Sequence, residues 1–391
     1  MLKPPVYLDY NATTPCDERV VKAMMPFFSQ HFGNAASRNH IFGWQAEEAV
    51  NYAREKLAKM IGADPTEIVF TSGATEADNL ALKGILETYG QKGKHIITCS
   101  IEHKAVLDAC GHLEKQGAEI TYVRVKGNGL IDLNELEDAI KPTTVLVAVM
   151  YANNEIGTIM PINEIGEITR KKGVLFFTDA TQAVGKIPVS VTDGIDLLAF
   201  SAHKMYGPKG VGALYVRRKN PRVKLTAQID GGGHERGRRS GTLNVPAIVG
   251  FGKAGEICME TMEEEALRIS DLRNKLEESL LTIDDSFVNG IKEHRLPNVT
   301  NICFGRGQGE ILMRNLGKQV AVSSGSACMS ASLEPSYVLK ALGLSDENAR
   351  SSLRFSLGRY TTEEQVAYAV NQFKNAADRL RKMGVQFKEK T

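Results

Sequence analysis

The sequence predicts an α/β fold with a mostly parallel β-sheet flanked by helices, followed by a smaller α+β unit. Three observations lead to this fold class. Between about residues 60 and 216, apolar runs of strand length alternate with longer amphipathic segments. These runs are continuously apolar, as expected for strands that are buried on both faces. A charged helical stretch at 254–281 then leads into a second group of short strands and helices.

The elements of the larger unit follow in chain order from these runs. Strands are predicted at 67–70, 95–98, 120–125, 145–150, 174–178, 196–200 and 212–216, and helices at 76–89, 105–116, 133–140 and 162–172. Because helices connect several of the strands, those strands should run parallel, with their carboxyl ends at one edge of the sheet. Ligands of such sheets bind at that edge, so we expect the functional site there.

The smaller unit is predicted from the C-terminal part of the chain. Strands are predicted at 299–304, 320–323 and 352–356, and helices near 310–316, near 334–342 and at 362–382. We expect a large domain at 15–249 and a small domain composed of 1–14 and 250–391. The small domain then carries a mobile loop at about 323–334, which contains Cys328.

Composition and charge exclude several classes of protein. With 48 basic and 46 acidic residues the net charge is +2, so no overall field favours nucleic acid or an acidic membrane. The six cysteines are widely spread without a CxxC pair, which argues against a disulfide framework and a zinc site. The longest clean apolar run, 145–150, is too short to span a bilayer, and Pro4, Pro5 and Asp9 interrupt the N-terminus where a signal peptide would be apolar. We therefore expect a cytoplasmic protein.

Two residues at predicted strand ends indicate a cofactor. Lys204 follows the strand at 196–200, and Asp179 follows the strand at 174–178. A lysine amine can hold a pyridine aldehyde as a Schiff base, and a carboxylate can keep the ring nitrogen protonated. The pair therefore predicts pyridoxal 5'-phosphate (PLP) as the cofactor. Taken alone, each residue has an ordinary alternative, a solvated lysine or an aspartate that caps a turn.

Other segments near the same sheet edge suit the parts of this cofactor. The turn TSGATE at 71–76 leads into a helix, whose free N–H groups suit a phosphate, although an ordinary helix cap is the alternative. His103 follows the strand at 95–98 and could stack on the ring and move protons. Amide side chains in NNEIG at 153–157 and at Gln182 can hold the phenolic oxygen of the cofactor.

Two further segments indicate what the cofactor would act on. Cys328 lies in SSGSACMSAS, where few large apolar side chains occur, so we expect an exposed segment in which the thiol acts as a nucleophile. Alternatively, Cys328 is a surface residue without a function or a metal ligand. Arg354 in SLRFS could bind a substrate carboxylate through its fork of N–H donors, with Arg359 as its competitor.

Taken in order, these segments resemble a known enzyme family. The motifs YLDYNATTP, TSGATE, EHKAV, NNEIG, DATQ, HKMYGPKG, GGGHERG, SSGSAC and RFSLGR are similar to those of cysteine desulfurases of the IscS/NifS type, within the class V aminotransferase-like, fold-type I PLP enzymes. The resemblance implies a homodimer that removes sulfur from L-cysteine, giving L-alanine and a persulfide on Cys328. The sulfur would then pass to acceptors such as an iron–sulfur scaffold protein, for cluster assembly and for other thio-cofactors.

The resemblance also implies a role for each matching residue. Lys204 would bind the cofactor covalently, His103 would stack on the ring and relay protons, and Cys328 would carry the persulfide. The remaining roles would be the ring nitrogen for Asp179, the ring oxygen for Asn154 and Gln182, the phosphate for Ala74, Thr75, Ser201 and His203, the phosphate of the other subunit for Thr242, and the substrate carboxylate for Arg354. No intrinsic metal is expected, although the Cys328 persulfide could transiently ligate a cluster held by a scaffold partner.

Three positions depart from the usual motifs of this family, namely Ala35, Ala202 and Met329. None of them removes a catalytic group, but Met329 would alter the surroundings of the persulfide. Two other functions stay open at this stage. A selenocysteine lyase or a class V aminotransferase would share the cofactor, although an aminotransferase needs no thiol at Cys328. A sulfur-carrier or phosphate-binding protein without PLP would not need the Lys204 and Asp179 pair.

Overall fold

The computed structural model describes residues 3–305, 308–324 and 334–388, with the backbone alone for 383–388. After a short first strand, β1 (Val6–Tyr7), a seven-stranded sheet has the order β2-β8-β7-β6-β5-β3-β4. Its strands are β2 (Ile68–Thr71), β3 (His95–Cys99), β4 (Glu119–Val123), β5 (Thr144–Ala148), β6 (Leu175–Asp179), β7 (Leu197–Ser201) and β8 (Gly212–Val216). All seven lie within two residues of their predicted bounds.

The sheet is mostly parallel, as predicted. Strands β3 to β7 pair in parallel with their neighbours, and only β8 pairs antiparallel, with β7 on one side and β2 on the other. The burial of every residue in β3, β5 and β7 agrees with the continuous apolar runs of the sequence. The α/β fold class is therefore confirmed.

Helices cover both faces of this sheet. They are α1 (Glu18–Met24), α2 (Pro26–Ser29), α3 (Ile41–Ile61), α4 (Ala74–Tyr89), α5 (Lys104–Lys115), α6 (Leu133–Ala139) and α7 (Ile162–Lys172). Side chains of α4 and α5 form the core on one face, whereas α3 contributes to the core on the other. Helix α3 was not predicted, because its buried face consists partly of alanines while the large rings of Trp44 and Tyr52 are exposed.

One long helix, α8 (Val245–Leu280), connects the two units. It begins nine residues before the predicted start at 254, where the side chain of Asn244 accepts from the N–H of Ala247 at 3.3 Å and so caps the helix. Phe251 near its start packs in the core of the larger unit, and Leu276 near its end packs in the core of the smaller one. Because α8 is continuous across residue 249, the domain division there stays a prediction.

The smaller unit combines both ends of the chain. Strands β9 (Ser286–Val288), β10 (Val299–Phe304) and β12 (Ser352–Ser356) form an antiparallel sheet, while β11 (Val320–Ala321) pairs in parallel with β1. Its helices are α9 (Gln308–Leu316), α10 (Tyr337–Ala341), α11 (Asp346–Arg350) and α12 (Glu363–Lys388). Val6 and Leu8 pack in one core with Phe304, Phe355 and Phe373, which explains why the first residues belong to this unit. Across the described ranges, no helix has both the length and the apolar character needed to cross a bilayer.

Candidate active site

A cavity of about 470 Å³ opens at the carboxyl ends of the parallel strands. Ten of the residues predicted for the site line this one cavity, namely Ala74, Thr75, His103, Asn154, Asp179, Gln182, Ser201, His203, Lys204 and Arg354. They come from both units of the chain, because Arg354 lies on β12. The cavity is therefore the candidate active site.

Lys204 reaches the cavity from the short 3₁₀ turn that follows β7. Its Nζ donates to the backbone carbonyls of Asn11 and Ala12, at 2.7 Å each. The N-terminal segment is itself held against this turn, since Thr14 donates its N–H and its hydroxyl to the carbonyl of His203, at 3.0 Å each. The amine of Lys204 is thus oriented by backbone atoms that lie about 190 positions earlier in the chain.

Asp179 is the last residue of β6, next to the strand that leads to Lys204. Its Oδ1 accepts from the N–H of Thr181 at 2.9 Å, and the residue is buried except for a small part. One carboxylate oxygen is fixed by the backbone in this way, and the side chain lines the cavity. Adjacent parallel strands therefore carry an amine and a carboxylate into the same space.

The N-terminus of α4 forms one end of the cavity. No side chain caps this helix, whose N-cap is Gly73, so the N–H groups of its first turn are available to a ligand. Gly212 of β8 lies so close behind that a Cβ there would come within 2.7 Å of the backbone of Gly73. Ser201, His203 and Lys209 line the cavity as well. Backbone donors, a hydroxyl and a cation together suit a phosphate group.

His203 is uncharged at neutral pH in this setting. Burial is the main cause that lowers its pKa to about 4, and the positive charges of Lys204, Lys209 and Lys186 lower it further. Its Nδ1 lies 3.1 Å from the hydroxyl of Thr13. A neutral imidazole can still donate one hydrogen bond to an anion without adding a charge.

His103 caps helix α5. Its Nδ1 accepts from the N–H of Ala105 at 3.2 Å, so the proton of the neutral ring lies on Nε2. Since the ring also lines the cavity, Nε2 is the nitrogen that can exchange a proton with a bound molecule.

Arg354 is almost completely buried beside the cavity. Its Nη2 lies 2.7 Å from Oδ1 of Asp9, and its Nη1 donates to the carbonyl of Asn154 at 3.0 Å. The competitor Arg359 does not line the cavity. Its guanidinium is bound to Asp17 and Glu265, at 2.7 Å each. The geometry therefore favours Arg354 as the residue that meets a substrate.

Two predicted residues are not part of the cavity described above. Thr242 is exposed and does not line it, and its role toward the other subunit of a dimer stays a prediction. Arg239, three residues earlier, reaches the first turn of α4 and binds Glu76 at 2.8 Å. Cys328 lies outside the described residues.

Buried polar atoms of the cavity wall are suited to PLP. Oδ1 of Asn154 and Oγ1 of Thr181 both belong to lining residues, and neither has a hydrogen-bond partner in the part of the chain that the structure describes. Such atoms are expected to bind a polar ligand or water. The amine, the carboxylate and the uncapped helix fit the aldehyde, the ring nitrogen and the phosphate of the cofactor. The described ranges hold no group of three or more side chains able to ligate a metal.

Asn11 and Lys186 were not predicted to belong to the site. Asn11 is buried, and its carbonyl accepts from Lys204 and Gln182 while its side chain donates to the carbonyl of Asn154 at 3.0 Å. Lys186 is bound to the side chains of Asn11 and Gln182. The motif YLDYNATTP contains Asn11 and was a signal for it, whereas nothing in the sequence distinguished Lys186 from a solvated lysine.

Comparisons with known proteins cover nearly the whole chain. Residues 6–368 match the family described as aminotransferase class-V. The chain is 59% identical over 383 residues to the cysteine desulfurase IscS of Histophilus somni strain 2336, covering 97% of this chain and 94% of that protein. It is 57% identical to the cysteine desulfurase IscS of Proteus mirabilis strain HI4320, with the same coverage.

Solved structures give the same result. A NifS-like protein superposes with a TM-score of 0.89 at 40% identity, over 97% of this chain and 100% of that one. A structure described as SspA in complex with cysteine superposes with a TM-score of 0.81 at 38% identity, over 92% of this chain and 100% of that one. The similarity covers both units of the chain.

Proposed function

Because this chain belongs to the class V aminotransferase family, we propose that its cavity is the active site of a PLP-dependent cysteine desulfurase. The relatives confirm the family and the activity that the motifs predicted. They are named cysteine desulfurases, and the similarity to this chain covers 94% of their length. The observation that supports the site most directly is the meeting of Lys204, Asp179 and the uncapped start of α4 in one cavity.

Each end of the cavity has a separate task in this proposal. The N–H groups at Ala74 and Thr75, with Ser201 and the neutral His203, bind the phosphate. Asp179 binds the ring nitrogen, Asn154 and Gln182 bind the phenolic oxygen, and Lys204 binds the aldehyde carbon. When bound, PLP supplies an electron sink that allows bonds of the amino acid substrate to break.

The remaining residues act on the substrate. Arg354 binds the carboxylate of L-cysteine, and His103 stacks on the ring and moves a proton through Nε2. The thiolate of Cys328 attacks the substrate sulfur, so that a sulfur–sulfur bond forms as the carbon–sulfur bond breaks. The products are L-alanine and a persulfide on Cys328, and no external oxidant or reductant is needed.

An exposed aromatic surface supports a homodimer. Five large aromatic residues within 28–52 are at least 46% exposed, namely Phe28, Phe32, Phe42, Trp44 and Tyr52. Phe32 and Phe42 also contact each other, with ring centroids 5.4 Å apart. Because large exposed apolar surfaces mark interaction sites, we expect a second copy to cover these rings. Thr242 would then reach the phosphate site of the partner subunit. Phe32→Glu should give a monomer in light scattering, whereas Leu267→Glu, at an exposed leucine of α8, should leave the dimer intact.

We propose further that the enzyme works in the cytoplasm and passes its persulfide sulfur to a scaffold protein on which iron–sulfur clusters are assembled. Its relatives are named IscS, which supports this class of acceptor. Transfer of radioactive sulfur from the Cys328 persulfide to a purified scaffold protein would support it, and transfer only to other thiol acceptors would contradict it.

The activity itself is tested with purified protein and L-cysteine. The protein should absorb visible light, lose this absorption on reduction with borohydride, and release alanine and sulfide in equal amounts when a thiol is present. Lys204→Ala should abolish the reaction, and Cys328→Ala should stop alanine release while the cofactor stays bound. If a 2-oxo acid is supplied as amino-group acceptor, 3-mercaptopyruvate formed instead of alanine would indicate an aminotransferase. Activity with selenocysteine alone would indicate a selenocysteine lyase.

A further inference from the structure

A second lysine lies partly buried behind the proposed cofactor site. The Nζ of Lys186 donates to Oε1 of Gln182 at 2.6 Å and to Oδ1 of Asn11 at 3.0 Å. It follows Gly185, which has a φ of +79° and leaves no room for a Cβ, because that atom would lie 2.8 Å from Cβ of Met205. The backbone turn between Gln182 and Lys186 is thus fixed by the packing around this glycine.

The surroundings of Lys186 lower the pKa of its amine. Burial is the largest cause that lowers its pKa well below the ordinary value of 10.5, and the positive charges of Lys204 and Arg354 lower it further. Glu265, a carboxylate in the wall of a small cavity next to Lys186, is bound to Arg359 at 2.7 Å. The amine donates to two acceptors, Oε1 of Gln182 and Oδ1 of Asn11.

These contacts determine which way the amide of Gln182 points. The amine of Lys186 faces Oε1, and the carbonyl of Asn11, which can only accept, lies 3.1 Å from Nε2. The carbonyl of Asn11 can accept only from Nε2, and the hydrogen bond from Lys186 to Oε1 stabilises the same orientation of the amide. One N–H of Nε2 is used by Asn11, and the other is left for a ligand, since Gln182 lines the cavity.

We propose that Lys186 is a positioning residue that orients the amide of Gln182, so that its Nε2 donates to the phenolic oxygen of PLP. Lys186 itself does not touch the cofactor in this arrangement. The same network also connects to Lys204, because the carbonyl of Asn11 accepts from Lys204 and from Gln182. The inference rests on the proposed function, since it assigns a role around the proposed cofactor site.

The test measures the pH midpoint of the visible absorption change of the PLP-loaded protein. A donor to the phenolic oxygen stabilises its negatively charged form, so loss of the donor raises the midpoint. Lys186→Met should therefore raise it, by about 0.5 to 1 unit. Gln182→Leu should raise it by a similar amount, and the double variant should raise it no further, because the two residues act as one unit. Lys171→Met, at an exposed lysine of α7, should leave it unchanged.

The outcomes separate this inference from the proposed function. Wild-type protein without visible absorption would overturn the cofactor site and the inference together. Two results would overturn the inference alone, provided that the wild-type protein binds PLP. In the first, Lys186→Met leaves the midpoint unchanged. In the second, the midpoint shift of the double variant equals the sum of the shifts of the two single variants. Should Lys186→Met not fold, Lys186→Gln, which removes the amine but keeps a polar side chain, takes its place. The midpoint should then rise, and an unchanged midpoint would overturn the inference.

Discussion

Asp9 and Arg354 form an ion pair of 2.7 Å, which joins the N-terminal segment to β12 beside the cavity. Arg354 is 1% exposed, so its charge depends on this carboxylate and on the carbonyl of Asn154. A substrate carboxylate that binds Arg354 therefore competes with Asp9 for the same guanidinium.

This competition predicts opposite effects of two substitutions on the KM for L-cysteine. Arg354→Met should raise KM about 10- to 100-fold, since a hydrogen bond between charged groups contributes about 1.5–3 kcal/mol. Asp9→Asn should lower KM, because the uncompensated guanidinium then binds the substrate carboxylate more tightly. The check is steady-state kinetics of alanine release. If Asp9→Asn raised KM as much as Arg354→Met, Asp9 would orient the arginine rather than compete for it.

The ion pair of Glu76 and Arg239 should control phosphate binding. Burial raises the pKa of Glu76, but hydrogen bonds from Arg239 and Ser72 outweigh it, so the carboxylate is charged at the start of α4. Arg239→Gln leaves that negative charge uncompensated next to the phosphate, and PLP should bind on the order of tenfold more weakly. Equilibrium dialysis of PLP measures the change. Glu76→Gln added to Arg239→Gln should restore most of the affinity, and no restoration would contradict the electrostatic cause.

Arg54 and Glu235 should stabilise the fold rather than the chemistry. Two hydrogen bonds of 2.7 and 2.8 Å join these buried side chains, and Glu235 also accepts from the N–H of Phe70 at 2.7 Å. Arg54→Met leaves an unpaired buried carboxylate and should lower the free energy of unfolding by about 3–5 kcal/mol. Urea unfolding gives this value. The double variant with Glu235→Gln should lose less than Arg54→Met alone, and an equal or larger loss would show that packing dominates.

His203 should make the cofactor-free protein less stable in acid. Its pKa of about 4 in the folded protein lies below the ordinary value of 6.5, so between these pH values the unfolded chain binds more protons. Stability from this residue is therefore complete above pH 6.5 and falls as the pH drops toward 4, by on the order of 1 kcal/mol after allowance for solvent screening. Unfolding experiments from pH 7 to 4 should show a smaller decline for His203→Asn. An identical decline would exclude this residue as the cause.

The sequence was sufficient to predict the sheet and to place Lys204 and Asp179 at the same edge of it. Continuous apolar runs gave the strand positions, and Lys204 and Asp179 directly follow or end such runs. Because parallel pairing brings the strand ends together, their position could be predicted without knowing how the side chains pack. Arg354 and its competitor Arg359 could not be separated in this way. Only the contacts of Arg359 with Asp17 and Glu265 exclude it from the cavity.

Residues that act through distant contacts could not be predicted. The roles of Asn11 and Lys186 depend on the N-terminal segment folding back across the larger unit, and Asn11 lies 171 positions from Gln182. Helix α3 was missed for a different reason, since its exposed rings hide the periodicity of its alanine-rich buried face. Both kinds of feature are determined by tertiary packing, which local sequence patterns do not report.

The parallel pairing of β1 with β11 has a consequence for biosynthesis. Val6 pairs with Val320, and Asp9 binds Arg354, which is 345 positions later. A nascent chain on the ribosome cannot form these contacts until nearly all of its residues have emerged. The parallel sheet can fold earlier, and Asn11 can already contact Lys204, but Asp9 cannot yet bind Arg354. We therefore expect the part of the cavity beside Arg354 to form last, after nearly all of the chain has emerged.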